Sequence, residues 1–149
     1  MSVVGLGTWQ LGGEWGRSFT PAEVRAIFDT AREEGITLVD TAECYGDHEA
    51  ERLVGEAIRG DRDRWFVATK FGHRYTVPFE RDQLWEPRDV ERQLEDSLAA
   101  LGTGVIDLYQ FHSGTRAAFD NDELWSLLSR KKQQGMIRHI GISVASSIP

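Results

Sequence analysis

The chain alternates short apolar runs with amphipathic segments over nearly its whole length. The apolar runs occupy residues 3–6, 36–39, 65–68, 105–111 and 137–143. They are rich in β-branched and aromatic side chains, and the segments between them carry apolar residues at helical spacing. This alternation is typical of parallel strands joined by crossover helices, so it predicts an α/β fold with about five parallel strands and four helices.

Capping residues and glycines indicate where the helices begin and end. Thr20, followed by Pro21 and Glu23, is a capping-box sequence that predicts the start of the first helix, and Gly35 predicts its end. The other three helices are predicted at residues 49–59, 87–102 and 122–134. Residues 71–86 are predicted to form a long polar and aromatic loop.

Two architectures contain such an alternation of strands and helices. One is an open doubly wound sheet, and the other is part of a (β/α)₈ TIM barrel. Five strands cannot close an eight-stranded barrel, and the 149 residues fall well short of the ~250 that a complete barrel needs. If the fold is a barrel, we expect a partial one whose C-terminal strands are missing, with no linker or second domain.

Composition and charge narrow the class of protein. With 40% hydrophobic and 28% charged residues, the sequence predicts a globular chain with a sizeable core. The net charge of -7 disfavours non-specific binding to nucleic acid, because such a surface repels phosphate. One cysteine, no secretory signal and no long apolar run together favour a cytoplasmic protein that does not enter the membrane.

Polar residues follow the apolar runs at the predicted carboxyl ends of four strands. They are Asp40, Lys70, His112 and Ser143. That edge carries the chemistry in parallel α/β folds, whereas the opposite edge carries stability. Taken singly, Asp40 could cap a turn, Lys70 could extend outward into solvent, and His112 could be a hydrogen-bonded structural residue. If Lys70 points inward, it needs a partner, and Asp40 on the neighbouring strand is the natural candidate.

Tyr45 follows Asp40 by five residues, in the loop above the same strand ends. It could be a loop anchor, or it could direct its hydroxyl at Lys70 and His112. Reduction of a carbonyl by hydride leaves negative charge on the oxygen, which a phenol could protonate. An ammonium ~4 Å away would lower the phenol pKa by up to ~3 units. Asp40 would keep Lys70 charged, and a neutral His112 would orient the substrate oxygen.

Five ordered motifs resemble those of the aldo-keto reductases. They are Gly5-Leu6-Gly7-Thr8-Trp9, Val39-Asp40-Thr41-Ala42-Glu43-Cys44-Tyr45-Gly46, Ala68-Thr69-Lys70, Asp107-Leu108-Tyr109-Gln110-Phe111-His112 and Ile140-Gly141-Ile142-Ser143. The resemblance covers nearly the whole chain. It implies that residues 1–149 are the N-terminal part of a single (β/α)₈ barrel domain.

The same resemblance implies NADPH as cofactor and a catalytic tetrad. The tetrad would be Asp40, Tyr45, Lys70 and His112, with Tyr45 as the acid. The expected cofactor-binding residues are Gly7, Thr8, Trp9, Asp40 and Ser143. Gly7, Thr8 and Trp9 would line the nicotinamide and the substrate, and Ser143 would hydrogen-bond the carboxamide. Val144 stands where many members have asparagine, and the later strands that hold the rest of the cofactor are missing.

Two functions therefore remain open from the sequence. The first is NADPH-dependent reduction of a small aldehyde or ketone. The second is a truncated, non-catalytic half-barrel or interaction subunit that cannot bind the cofactor. Because both edges of the predicted sheet lack a neighbour, we expect either pairing with an identical chain or a complementary C-terminal half, or poor solubility of the chain alone.

Other motifs carry weaker interpretations. Gly5 and Gly7 are not followed by a third glycine at the spacing of a dinucleotide fingerprint, and no helix is predicted directly after them. Cys44, His48 and Glu49 are not accompanied by a second cluster at ligand spacing, so no metal site is predicted. Cys44 is interpreted as a small packed residue rather than a redox switch. The aromatic residues of the loop either select substrates or simply pack; they are His73, Tyr75, Phe79 and Trp85.

Overall fold

The computed structural model describes residues 1–144, which form a five-stranded parallel sheet covered by helices. In chain order the elements are β1 (Gly5–Gly7), α1 (Pro21–Glu33), β2 (Leu38–Asp40), α2 (Glu49–Ile58), β3 (Phe66–Phe71), β4 (His73–Val77), β5 (Glu80–Gln83), α3 (Pro87–Leu101), β6 (Ile106–His112), α4 (Arg116–Phe119), α5 (Asp122–Gln133) and β7 (Ile137–Ser143). Two short 3₁₀ helices span Trp9–Gly12 and Arg62–Arg64.

The order of the strands decides between the two architectures. The sheet runs β1-β2-β3-β6-β7 with every neighbouring pair parallel, so successive strands of the sheet are always adjacent. A doubly wound sheet would reverse its strand order at a switch point, and no reversal occurs within the described residues. The helices α1, α2, α3 and α5 provide the crossovers. The fold is therefore part of a (β/α)₈ barrel, as the resemblance implied.

The prediction of a loop over residues 71–86 is wrong in part, because this segment contains a β-hairpin. Strands β4 and β5 pair antiparallel, with an irregularity between Tyr75 and Val77. The sequence pattern misses them because most of their side chains are exposed or half-exposed, so no apolar alternation marks a buried face. Arg74 and Asp82 face each other across the pair and form an exposed ion pair.

Two smaller differences concern the bounds of the first strand and a short helix. The first strand lies at Gly5–Gly7 rather than at residues 3–6, and Val3 and Val4 are exposed. Its register is fixed by pairing with β2, where Gly5 lies opposite Leu38. The one-turn helix α4 was not predicted. Four residues are too few to show a helical period.

The predicted capping box at the start of α1 is confirmed. The Thr20 hydroxyl accepts a hydrogen bond from the Glu23 amide at 3.3 Å, and the Glu23 carboxylate accepts one from the Thr20 amide at 2.8 Å. Between sheet and helices, apolar side chains form one continuous core that includes Phe28, Val67 and Phe111. Within residues 1–144, no helix combines the length and apolar character needed to cross a lipid bilayer.

Candidate functional site

The carboxyl ends of β2, β3 and β6 bring Asp40, Lys70 and His112 to one edge of the sheet. The Lys70 ammonium is almost completely buried and donates hydrogen bonds to Asp40 Oδ1 at 2.7 Å and to the Thr41 carbonyl at 2.6 Å. Lys70 therefore points inward, and the predicted pairing with Asp40 is confirmed. The sequence did not single out the Thr41 carbonyl, because a backbone acceptor leaves no mark in the residue pattern.

The hydroxyl of Tyr45 lies 3.3 Å from Lys70 Nζ, which confirms the second predicted contact. The loop that carries Tyr45 is held by a close approach between two glycine backbones. A Cβ atom on Gly46 would lie 2.2 Å from the Gly12 carbonyl oxygen, and one on Gly12 would lie 2.6 Å from the Tyr45 carbonyl carbon. Gly46 also has a positive φ of 66°, which glycine adopts at little cost. These glycines fix the position of the phenol.

The direction of the Tyr45 pKa shift corrects the expectation from the sequence. Burial raises the pKa of Tyr45, and the charge and hydrogen bond of Lys70 offset only part of that increase. Burial also acts to lower the pKa of Lys70, but the oxygens of Tyr45 and Asp40 outweigh it, so the pKa of Lys70 is raised. The pair at neutral pH is therefore a protonated phenol beside an ammonium. A phenol in this state can donate its proton.

His112 is neutral at neutral pH. Burial, reinforced by the charge of Lys70, lowers the pKa of His112 to about 3. Its ring meets the Tyr45 ring edge-on, with centroids 6.5 Å apart. A neutral imidazole can donate or accept a hydrogen bond, as the orienting role requires. Cys44 is buried, and burial raises its thiol pKa to about 12, which agrees with a small packed residue rather than a reactive thiol.

An open pocket of about 430 Å³ lies above these side chains. Its lining is mainly aromatic and consists of Tyr45 and His112 together with Trp9, Cys44, His73, Phe79 and Arg81. Trp9 stacks on Tyr45 at a centroid distance of 6.0 Å. Within the pocket, Tyr45 and His112 therefore offer polar atoms to a ligand whose remaining surface contacts aromatic rings.

The hairpin that forms one wall of this pocket is tied to the segment after β1. Glu14 has a fully buried side chain that binds the Arg81 guanidinium and accepts a hydrogen bond from the Phe79 amide at 2.9 Å. Burial acts to raise the pKa of Glu14, but these hydrogen bonds outweigh it and lower the pKa. The sequence reasoning missed this pair, because Glu14 and Arg81 are far apart in the chain.

The aromatic residues of the hairpin region fall into two groups: some line the pocket, where they could select substrates, and others only pack against neighbouring side chains. His73 and Phe79 line the pocket. Trp85 instead stacks on Phe111 at a centroid distance of 4.4 Å and, partly buried, packs against the core. Tyr75 lies under the Arg81 guanidinium at 5.2 Å. Only part of this group is therefore placed to contact a substrate.

The residues expected to hold the nicotinamide lie at the same edge of the sheet. Gly7 pairs with Asp40, and a Cβ on Gly7 would meet no atom within 4 Å. Thr8 donates from its amide and its hydroxyl to the Asp40 carbonyl, each at 3.0 Å. Ser143 lies opposite His112 in the register of β6 and β7. Together with Trp9, these positions surround the strand ends and leave open space beside Gly7.

Glu43 is a buried acidic residue in the loop before Tyr45 that was not singled out from the sequence. Glu43 is 2% exposed, and its Oε1 accepts a hydrogen bond from the His73 amide at 2.9 Å. Burial raises the pKa of Glu43 to about 7. Nearby, Glu51 accepts a hydrogen bond from the Thr69 hydroxyl at 2.5 Å and contacts His48 Nδ1 at 2.6 Å. Glu43 lies inside the motif around Tyr45, but only burial reveals that it is unusual.

Comparison with known proteins gives consistent results. The family model described as the aldo/keto reductase family matches residues 3–148. The uncharacterized oxidoreductase YqkF of Bacillus subtilis is 38% identical over 146 residues, which cover 96% of this chain and 45% of that protein.

Two solved structures show the same relationship. The aldo-keto reductase AKR11C1 from Bacillus halodurans, in its holo form, superposes with a TM-score of 0.83 and 34% identity, covering 95% of this chain and 46% of that one. An aldo-keto reductase from Klebsiella pneumoniae in complex with NADPH gives a TM-score of 0.74 and 29% identity, covering 96% and 45%.

The chain spans about half the length of the relatives that it matches. The match nevertheless includes the strand ends that carry the buried lysine, its aspartate and the tyrosine above them. On the strength of this match and of the partial barrel, the chain belongs to the aldo/keto reductase family of oxidoreductases.

Proposed function

We propose that the chain is the catalytic half of a reductase that uses NADPH to convert a small aldehyde or ketone into an alcohol. The observation that supports this most is the contact of the buried Lys70 ammonium with both Asp40 and Tyr45, because Tyr45 also lines the pocket. A buried ammonium beside a protonated phenol is an arrangement for delivering a proton to a developing oxyanion.

In this proposal, Tyr45 donates its hydroxyl proton to the carbonyl oxygen while negative charge develops there. The charge that remains on the phenolate is stabilised by Lys70, whose ammonium stays within hydrogen-bond reach of Tyr45. Asp40 keeps that ammonium charged and aimed. His112, neutral at pH 7, hydrogen-bonds the same oxygen and fixes its orientation.

The open space beside Gly7, together with Thr8, Trp9, Asp40 and Ser143, suits the flat nicotinamide end of the cofactor. When bound, NADPH supplies the hydride that reduces the carbonyl carbon. The chain's own contribution is to hold that ring against the strand ends. The Klebsiella pneumoniae structure was solved in complex with NADPH, which supports the choice of cofactor by analogy.

The pocket favours substrates with an apolar or aromatic body. Phe79 and Trp9 form an aromatic wall, with ring centroids 6.5 Å apart. The charge of Arg81 is already neutralised by the buried carboxylate of Glu14. We therefore expect recognition through contact with the rings rather than through a second charged group on the substrate.

The outer strands β1 and β7 have no neighbour on their far sides within the described residues. Beside β7, an apolar groove of about 370 Å³ is lined by Phe119, Trp125 and residues 140–142. Unpaired strand edges and apolar grooves recruit further strands. We propose that further strands, from a complementary C-terminal half or a second copy of the chain, cover this face and complete the cofactor site.

The test replaces Tyr45 with phenylalanine in the complete barrel, meaning this chain together with the polypeptide that covers its open edges. Turnover of aldehydes with NADPH is expected to fall by about 10² to 10⁴-fold, while the Kd for NADPH changes little. The matched control is Tyr75→Phe, which changes the same hydroxyl on a tyrosine that does not line the pocket. Retention of most of the turnover by Tyr45→Phe would show that another group supplies the proton.

The alternative function, a non-catalytic half-barrel, is favoured only by the open edges of the sheet. If this alternative holds, a fluorescence titration detects no NADPH binding even when the chain is combined with the polypeptide that covers its open edges. The catalytic proposal predicts weak binding by the isolated chain and tight binding by the complete barrel. The solution mass of the isolated chain measures whether the exposed edges drive self-association.

A further inference from the structure

We propose that Glu43, Cys44, His73 and His112 form a binding site for a zinc-like divalent transition-metal ion in the wall of the pocket. One carboxylate oxygen, the thiol sulfur and one nitrogen from each imidazole lie within 4.8 Å of one another. Donor atoms in a tetrahedral zinc site lie about 3.3 to 3.8 Å apart, as follows from bonds of about 2.0 to 2.3 Å. A contraction of about 1 Å would therefore close the four donors around an ion.

The four donors come from three separate parts of the chain. Glu43 and Cys44 lie in the loop after β2, His73 begins β4, and His112 ends β6. Cys44 Sγ and His112 Nδ1 are already 4.0 Å apart, and the two imidazole rings have centroids 5.0 Å apart. The parallel sheet fixes these segments relative to each other, so the donors converge without any local spacing in the sequence.

An independent observation at the same place is an unpartnered oxygen on Glu43. The side chain is buried, Oε1 accepts a hydrogen bond from the His73 amide, and Oε2 has no hydrogen-bond partner. A buried carboxylate oxygen without a partner costs free energy, and coordination to a cation is one way to satisfy it. Asp107, the buried carboxylate at the opposite edge, has both oxygens occupied by arginines.

The donor set selects the class of ion. Two imidazoles, one thiolate and one carboxylate suit zinc and its neighbours in the first transition row, whereas Mg²⁺ and Ca²⁺ prefer oxygen ligands throughout. The ion displaces the proton of the Cys44 thiol, which leaves to solvent, and a sulfur–metal bond forms. Arg81 and Lys70 place positive charge near this position, so we expect reversible binding rather than a permanent structural site.

Occupation of the site would have a consequence for catalysis that rests on the proposed function. His112, the residue proposed to orient the carbonyl oxygen, lines the pocket together with Cys44 and His73, so an ion held by these side chains would occupy space that the carbonyl compound needs. We expect Zn²⁺ to inhibit the reductase and a chelator to restore it.

Binding is tested with Co²⁺ on the metal-free chain in reducing buffer, without NADPH or a carbonyl compound. Cys44 is the single cysteine, so a thiolate-to-cobalt charge-transfer band reports only on this site. We expect one Co²⁺ per chain, a charge-transfer band, the intense visible bands of tetrahedral cobalt, and displacement of all of them by Zn²⁺. Because NADPH and substrate are absent, the result does not depend on whether the protein is a reductase.

The variants identify the ligands. Cys44→Ser should abolish the charge-transfer band, while Glu43→Gln and His73→Gln should each weaken Co²⁺ binding by about tenfold or more. The matched control is His139→Gln, which removes an exposed imidazole and should leave the titration unchanged. Circular dichroism confirms that each variant is folded. Absence of the band in the wild-type chain, or equal affinity in Glu43→Gln, His73→Gln and wild type, would overturn the proposal.

Discussion

Two ion pairs, each with one buried charged side chain, lie at opposite edges of the same sheet and are constructed differently. At the amino edge, Asp107 is 1% exposed and accepts hydrogen bonds from Arg62 at 2.7 Å and from the Val67 amide at 2.9 Å, while Arg138 binds its other oxygen. At the carboxyl edge, Lys70 is 4% exposed, but the side chain of its partner Asp40 is 43% exposed.

This difference in construction indicates that the first pair supports folding and the second supports chemistry. The amino-edge cluster, formed by Asp107, Arg62 and Arg138, uses both carboxylate oxygens of Asp107 to join β3, β6 and β7. Loss of the Asp107 carboxylate should therefore affect folding first. The carboxyl-edge pair leaves Asp40 in contact with solvent and holds Lys70 against a phenol that faces a pocket. Its removal should affect chemistry first, as expected where the strand ends of a barrel carry the reaction.

The largest expected effect is on catalysis, from Lys70→Met. Without the ammonium, negative charge on the Tyr45 oxygen loses its stabilising partner, so kcat of the complete barrel should fall by about 10³-fold, equivalent to about 4 kcal/mol. The free energy of unfolding should change much less, because Asp40 remains solvated. Steady-state kinetics and urea unfolding are measured on the same variant. Lys132→Met, at an exposed helical position, is the control, and an undiminished rate in Lys70→Met would contradict the comparison.

Asp107→Asn should produce the opposite result. Loss of the carboxylate charge leaves the Arg62 guanidinium, whose side chain is only 17% exposed, without its ionic partner. We expect the free energy of unfolding to fall by about 3 to 4 kcal/mol, as for other buried pairs that lose one partner. Urea unfolding measures the change against Asp120→Asn, which removes a carboxylate from an exposed ion pair. If the free energy of unfolding falls no further in Asp107→Asn than in the control, Asp107 does not stabilise the fold as argued.

Glu43 should make the free energy of unfolding depend on pH, because burial raises its pKa from 4.5 to about 7. Between these values the folded chain keeps a proton that the unfolded chain releases, so the contribution of Glu43 to stability is complete below pH 4.5 and is lost as the pH rises through about 7. Glu43→Gln lacks this dependence. Relative to wild type, it should gain as much as about 3 kcal/mol across that range.

The Glu43 measurement is made by urea unfolding at several pH values with a chelator present. Glu80→Gln, an exposed position on β5, should follow the wild-type profile. Parallel profiles for Glu43→Gln and wild type would mean that Glu43 titrates normally in the folded chain.

The smallest expected effect comes from Arg138, the exposed partner of Asp107 at the amino edge of the sheet. Arg138 binds Asp107 from a position where its side chain is 55% exposed. Because solvent screens such a pair, Arg138→Ala should lower the free energy of unfolding by less than about 1 kcal/mol. Arg62→Ala is the matched variant on the buried side of the same carboxylate and should cost more. Equal losses from the two arginines would show that burial does not govern this cluster.

Sequence alone was enough to predict the five strands of the sheet, their four crossover helices and the polar residues at the strand ends. Strand and helix periodicities differ, so the alternation along the chain was readable, as was the capping box at Thr20. Asp40, Lys70 and His112 could be placed on one edge because parallel strands direct their carboxyl ends the same way. The family resemblance and its match over residues 3–148 depend on those same local motifs.

The environment of each functional group depends on the assembled fold and could not be predicted from the sequence. Burial, which depends on residues distant in the chain, reversed the expected direction of the Tyr45 pKa shift. It also revealed Glu43 as a buried carboxyl with an unpartnered oxygen. The anchor of the hairpin on Glu14 escaped the sequence because it rests on a contact across 67 residues. The hairpin itself escaped because its exposed side chains show no apolar alternation. Local periodicity encodes which face of an element is apolar, but desolvation and long-range ion pairs exist only once the sheet has assembled.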